Sequence, residues 1–199
     1  MKRIASSKRL SSGKYVNLSE LTKDDIDIAD ISRSLNYIYR FTGHWKDKEP
    51  LTVAQHTRLA VHLSGILFPD DALIKLDVTI HDFAEAYTGD VATPLKKLFG
   101  IGFKDYEKAI EDVVYEKLWV ASSPHTKEIY EARKICDLLA LDIERRNLWS
   151  SQTGKDNWPD IPHEGLFSVK EKKDIFDTIA KERYVDIEAM YYDAIKGLK

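Results

Sequence analysis

Apolar positions recur at three- and four-residue intervals along most of the chain, a spacing that predicts a nearly all-helical protein. Residues 1–26 are the exception. They are polar, with Ser11-Ser12-Gly13 as a loop and Tyr15 to Leu18 as a short extended piece at most. From Asp27 the pattern is helical, with Ile31, Leu35 and Ile38 on one face and Asp30 as a candidate cap. This helix is expected to run into Tyr39-Arg40-Phe41-Thr42-Gly43-His44 and to leave at Gly43, which sets Arg40 at the end of an element. Thr52 then offers an N-cap to a helix whose stripe is Val53, His56, Ala60, Leu63 and Leu67. Phe68-Pro69-Asp70-Asp71 ends that helix and caps the next, expected over about 72–87 with Leu73, Leu76 and Ile80 toward the core. Thr88-Gly89-Asp90 breaks it. Amphipathic helices follow at about 104–120 and 125–149, the second opened by Ser123-Pro124 and carrying Ile129, Ala132, Cys136, Leu139 and Ile143. A polar loop from Ser150 to Gly165 leads to a last helical stretch, about 168–197, that reads as packing material. The expected fold is all-α, a bundle of five to seven helices in one domain over residues 1–199.

One segment departs from plain amphipathicity. In Ile80-His81-Asp82-Phe83-Ala84-Glu85, His81 and Glu85 are four apart and Asp82 and Glu85 three apart. On a helix both spacings bring side chains onto one surface. Three ionisable groups beside Ile80 and Phe83 are costly for a purely structural helix, and a bound cation would offset that cost. The plainer alternative is a solvated charged face with one histidine. His56 likewise sits inside an apolar stripe, where a satisfied core histidine and a metal ligand are both compatible with the pattern. Asp137 lies beside the apolar face of its helix, and Arg133, one turn earlier, is available to pair with it.

Composition narrows the classes. Hydrophobic residues make up 43% and charged residues 32% of 199 residues, enough for a sizeable core under a charged surface. A net charge of −3 argues against a nonspecific grip on nucleic acid. The single cysteine, Cys136, excludes an intramolecular disulfide and fits a reducing cytoplasm. No run approaches the ~20 apolar residues of a membrane span, and no apolar segment follows the basic start, so neither membrane insertion nor secretion is expected.

Taken in order, Arg40-Phe41-x-Gly43-His44, Thr52-Val53-Ala54-Gln55-His56, His81-Asp82-x-x-Glu85-Ala86-x-x-Gly89-Asp90-x-x-x-Pro94-x-Lys96 and Lys134-x-x-Asp137 with Glu144-Arg145 form a set. That set, within about residues 13–149, resembles the HD-domain metal-dependent phosphohydrolases. The branch it is most similar to contains bacterial 5′-deoxynucleotidases and phage deoxynucleotide phosphohydrolases. The resemblance implies an HD-type helical bundle with a divalent metal on His56, His81, Asp82 and Asp137. Such a mixed nitrogen and oxygen donor set suits Mn, Co, Fe, Ni or Zn, with Mg also admissible. It implies Glu85 as the group that orients or deprotonates the attacking water. Arg40 and Lys96 would meet the phosphate, Asp90 the sugar 3′-hydroxyl, and Phe41 would crowd out a 2′-hydroxyl. His44 completes the substrate-facing set, and a homo-oligomer is implied by the same resemblance. The expected reaction is hydrolysis of a deoxynucleoside monophosphate. The alternatives are a triphosphohydrolase releasing tripolyphosphate and, from another class, a non-enzymatic helical module with a structural metal. Two positions depart from the branch: Phe41 stands where bacterial nucleotidases typically carry tryptophan, and Cys136 replaces a small alanine.

Overall fold

The helix boundaries are set by side chains that satisfy backbone groups the helices leave open. The structure is a computed structural model that describes residues 6–45, 49, 51–121, 124–148 and 158–198. The first helix, α1 (Ile28–Leu35), is capped by Asp27, whose carboxylate accepts from the backbone N–H groups of Ala29 and Asp30. Asp30, expected as the cap, is instead buried in the first turn, where it accepts from the Ser11 and Ser12 hydroxyls and the Ser12 N–H. Ahead of it a small hairpin pairs β1 (Ser7–Arg9) with β2 (Tyr15–Asn17).

α1 does not run on to Gly43. Asn36 follows it and turns its side chain to the Ser32 carbonyl (2.8 Å) and to the backbone of Val185 (2.9 and 2.8 Å), so the chain leaves the helix there. Arg40–Gly43 forms a separate 3-10 turn in which Phe41 and Thr42 are left-handed, with φ 55° and 52°. Backbone bonds from Arg40 N–H to the Leu51 carbonyl and from Val53 N–H to the Ile38 carbonyl fix this turn to the start of α2 (Val53–Leu67). α2 begins as expected, with a reciprocal Thr52–Gln55 capping box.

The helix expected over 72–87 is divided. Asp71 caps α3 (Ala72–Ile80), residues 81–84 form a turn with bonds from Phe83 N–H to the Ile80 carbonyl and from Glu85 N–H to the Asp82 carbonyl, and α4 (Glu85–Thr88) ends at Gly89 with φ 80°. The tightened bonding rotates this segment away from regular α geometry. α5 (Thr93–Phe99) and α6 (Ile101–Leu118) are separated by Gly100, whose φ of 77° suits glycine alone. α7 (Lys127–Leu148) starts after Pro124, so that proline does not open the helix; Ser123 lies outside the described residues. The last stretch is two helices, α8 (Val169–Ile179) and α9 (Ile187–Lys196), opened by Ser168 and Asp186.

The result is an all-α bundle with, among the described residues, seven helices of eight residues or more, α1, α2, α3, α6, α7, α8 and α9. α3 is its centre. Leu76 and Ile80 pack with Ile31, Leu35, Val114 and Tyr191 in one core, and Ile74 and Val78 pack with Leu63, Leu139, Ile143 and Phe176 in the other. Being apolar on opposite faces, α3 is buried on both, which is the pattern of an internal helix. A buried charge cluster joins α7 to α8: Lys172 Nζ donates to Asp142 Oδ2 at 2.7 Å, and Arg146 Nε to the same carboxylate at 2.8 and 2.9 Å. No helix among the described residues is long and apolar enough to cross a membrane.

Candidate metal centre

The C-terminal end of the central helix delivers His81 and Asp82 to a point facing α2 and α7. His56, in the middle of α2, is fully buried there, and His81 is nearly so. Donor atoms of His56, His81 and Asp82 lie within 4.8 Å of one another, close enough to hold a metal ion. Asp137 from α7 reaches the same point, its Oδ1 3.1 Å from His56 Nε2.

Hydrogen bonding on the far side of each ring fixes the tautomer. His81 Nδ1 is 2.7 Å from the Val78 carbonyl, an acceptor only, so Nδ1 carries the proton. Its Nε2, buried and with no well-aligned hydrogen-bond partner, then faces Asp82 Oδ2 at 3.2 Å. A ring nitrogen and a carboxylate oxygen set this close need a proton or a metal cation between them. His56 is bracketed by carboxylates at both ring nitrogens. Its Nδ1 is 2.8 Å from Glu144 Oε1, and its Nε2 faces Asp137 and, at 3.6 Å, Asp82. Ligand histidines held through their second nitrogen by a carboxylate or carbonyl are the usual support of a metal site.

The charges say the same. Glu144, Asp90, Asp82 and Glu85 act on one guanidinium, that of Arg40, and Asp137 lies against His56. Burial and Arg40 disfavour a charged His56, yet Glu144 and Asp137 outweigh them and hold its pKa up at about 10. A second proton on His56 and a metal cation therefore answer the same demand. Burial opposes ionisation of Asp82 and Asp137, but the histidines hold both carboxyls below their ordinary values. Glu85 goes the other way: burial, then the facing charges of Asp82 and Asp90, hold its carboxyl well above the ordinary range. Its Oε2 is buried without a hydrogen-bond partner.

No protein-family model matches the chain. It is 36% identical over 164 residues to the uncharacterized protein YfdR of Escherichia coli (strain K12), covering 79% of this chain and 82% of that one. The chain belongs to the YfdR family. A second relative, the uncharacterized protein RCAP_rcc00048 of Rhodobacter capsulatus, is 29% identical over 108 residues, 54% of this chain and 55% of that one.

In this YfdR-family chain the expected substrate-facing residues are placed unequally. Arg40 lies against the cluster: its Nη1 is 3.5 Å from Asp90 and its Nη2 3.4 Å from Glu144, while Nε is buried with no partner. Burial lifts Asp90 above its ordinary pKa despite Arg40. Phe41 packs edge-on against Trp158, ring centroids 6.2 Å apart, with the Arg40 guanidinium 5.4 Å from its ring. Lys96 is taken by Glu107 of α6 at 2.9 Å, so it meets the site at a distance, through its charge on Glu85. His44 is exposed, and among the described residues no contact joins its side chain to the cluster.

Sequence reasoning missed two participants. Glu144 stood in the motif set with no role, yet it is seven residues from Asp137, two turns along one face of α7. Trp158, a tryptophan in an otherwise polar loop, was a signal of its own. The proposed Arg133–Asp137 pair does not form. Arg133 turns to Asp77 of α3 (3.4 Å), a fully buried carboxylate that also meets His125 (2.9 Å) and accepts from the Tyr115 hydroxyl. Asp77, fully buried, would be far more costly without cations around it than Asp137, which His56 already meets.

Proposed function

We propose that this chain is a divalent-metal-dependent phosphohydrolase of the HD type, acting on deoxynucleotides and foremost as a 5′-deoxynucleotidase. The observation that carries the reading is the pair of imidazoles tied at Nδ1 and turned by Nε2 toward Asp82, with a high-pKa Glu85 beside them that none of those bonds uses. His56, His81, Asp82 and Asp137 would hold the ion, a transition metal by the donor set. When bound, such an ion polarises the phosphorus centre and acidifies a water molecule.

The chain's own groups account for the rest. Glu85, with a carboxyl held well above its ordinary range by burial and the facing acids, is suited to take a proton from the attacking water. Arg40 carries a buried, unpartnered Nε–H and two terminal nitrogens only loosely held at 3.4 and 3.5 Å, so a phosphate can compete for it. Asp90 is placed by Arg40 to accept a sugar hydroxyl. Phe41 and Trp158 form an apolar wall next to Arg40. A purely structural metal would leave Glu85 buried, proton-hungry and without a task, which disfavours that alternative.

The decisive experiment is a panel of nucleoside mono-, di- and triphosphates, deoxy and ribo, with Mn, Co or Mg, read by the phosphorus products. Orthophosphate from deoxynucleoside monophosphates is the expected result. Tripolyphosphate from triphosphates would move the substrate, and no product under any condition would overturn the reading.

A further inference from the structure

A cleft of about 170 Å³ opens between the β1–β2 hairpin, α1 and α4 and shares no lining residue with the metal cluster. Its charged lining is Lys8, Arg9, Arg33 and Asp30. Asp30 is the one acid, and its carboxylate is occupied by three donors from Ser11 and Ser12. Among the described residues none of the three cations has a carboxylate within ion-pair distance, in a chain whose net charge is −3. The guanidinium of Arg9 lies 5.7 Å from the Tyr15 ring and that of Arg33 5.8 Å from the Tyr37 ring. Ring contacts of this kind order a guanidinium while leaving its N–H fork unpaired. Lys8 Nζ donates to the carbonyls of Ala86 (2.9 Å) and Tyr87 (3.1 Å), which leaves one of its three N–H groups. Burial disfavours the Lys8 ammonium and lowers its pKa, so a counter-anion would stabilise it.

Three cations held by rings and carbonyls rather than by carboxylates, beside a space several times the roughly 30 Å³ of a water molecule, leave positive charge available to an anion. We infer that this cleft binds a phosphate-bearing small molecule at a site separate from the metal cluster. Arg33 supplies a forked contact to phosphate oxygens and Lys8 a second, while Arg9, turned toward Tyr15 on the other face of the strand, adds positive charge at the rim. Because Lys8 also grips the two residues that follow Glu85, the bound anion is one side chain away from the candidate catalytic segment.

The test is titration of the full chain, freed of metal by chelation, with inorganic phosphate at an ionic strength held constant with chloride, followed by calorimetry and phosphorus NMR. Saturable binding is expected to persist without metal and in Asp82→Asn. Arg33 is exposed, so Arg33→Glu should fold normally, and it should weaken phosphate ~10–100-fold, the range for loss of one charged hydrogen bond. Lys8→Met should weaken it similarly. The inference is overturned by absence of saturable binding to the metal-free chain. It is equally overturned by binding that survives both Arg33→Glu and Lys8→Met, or that disappears in Asp82→Asn, which would assign the phosphate to the metal cluster.

Discussion

Glu144 and His56 form a fully buried pair, with Glu144 Oε1 2.8 Å from His56 Nδ1. The other oxygen of the same carboxylate meets Arg40 Nη2 at 3.4 Å. One side chain of α7 therefore orients a candidate metal ligand on α2 and a candidate phosphate contact in the 40–43 turn. Its ionised form is favoured by both partners, first His56 and then Arg40, against the penalty of burial.

Replacing this group tests the metal centre without touching a ligand. Glu144→Gln keeps the shape and an acceptor for the His56 N–H but removes the charge. Metal affinity should fall ~10–100-fold, the usual effect of losing a supporting partner of a ligand histidine. Competition with a chelating dye measures it. Unchanged affinity together with normal folding would leave Glu144 as a core group and nothing more.

An ion held as proposed would join α2, the end of α3 and α7, and would link folding to metal binding. Chelation should lower the melting temperature and abolish turnover, and a transition metal should restore both. At free metal 100 to 1,000 times the dissociation constant the stabilisation is ~3–4 kcal/mol. A chain shown metal-free by elemental analysis that keeps its melting temperature and full turnover would dismiss the site.

The fold class was legible because periodicity reports burial, and α2, α6 and α7 lie close to where their stripes put them. Breaks were less legible. Asn36 ends α1 by bonding Val185, a partner 149 positions away that no local window contains. His81, Asp82 and Glu85 were found through their spacing, although the regular helix assumed for them is a tightened turn. Arg133 was misassigned because the i, i+4 neighbour is visible in sequence, whereas Asp77, buried on another helix, is not. Glu144 was visible as a motif residue, but its role needs the distance to His56.

Glu85 separates catalysis from metal binding. Glu85→Gln should keep the metal, since His56, His81 and Asp82 converge without it, and should lower turnover by ~10²–10⁴, the range for a positioned acid or base. Metal content and single-turnover rates measured on one preparation decide the matter. Loss of the ion in this variant would make Glu85 a ligand and remove the role assigned to it.

Acid sensitivity should arise partly from Asp142. Burial opposes its charge, but Lys172, Arg146 and Arg145 hold its carboxyl below the ordinary value. A folded-state pKa below the unfolded one contributes stability that is present above ~4 and lost as pH falls through the lower folded value. Denaturant unfolding at pH 7 and pH 3 should show this loss in the wild type. In Asp142→Asn the chain should be weaker at pH 7 and its decline toward pH 3 smaller. A decline of equal size in both proteins would place the acid response elsewhere.

The last prediction concerns the sugar. Phe41 holds a left-handed backbone at φ 55°, a conformation bulky residues rarely adopt, and its ring stands against Trp158 beside Arg40. Asp90 meets the same Arg40 guanidinium at 3.5 Å. A ribose held by Asp90 through its 3′-hydroxyl would bring any 2′-hydroxyl toward this wall, where it would clash or be buried without a partner. An unpaired buried hydroxyl costs ~1–3 kcal/mol, a ten- to hundredfold preference for deoxy substrates, and a phenylalanine smaller than tryptophan argues for the lower part of that range. Phe41→Ala keeps the same backbone demand but removes the ring, so ribonucleotides should gain on their deoxy partners. Trp158→Ala, which frees the Phe41 ring to move, should shift selectivity the same way by less. Arg40→Ala should depress kcat/KM for both sugar classes alike, because it meets the phosphate they share. Equal wild-type kcat/KM for a deoxynucleotide and its ribonucleotide partner would refute this role for Phe41 and leave the phosphohydrolase proposal standing.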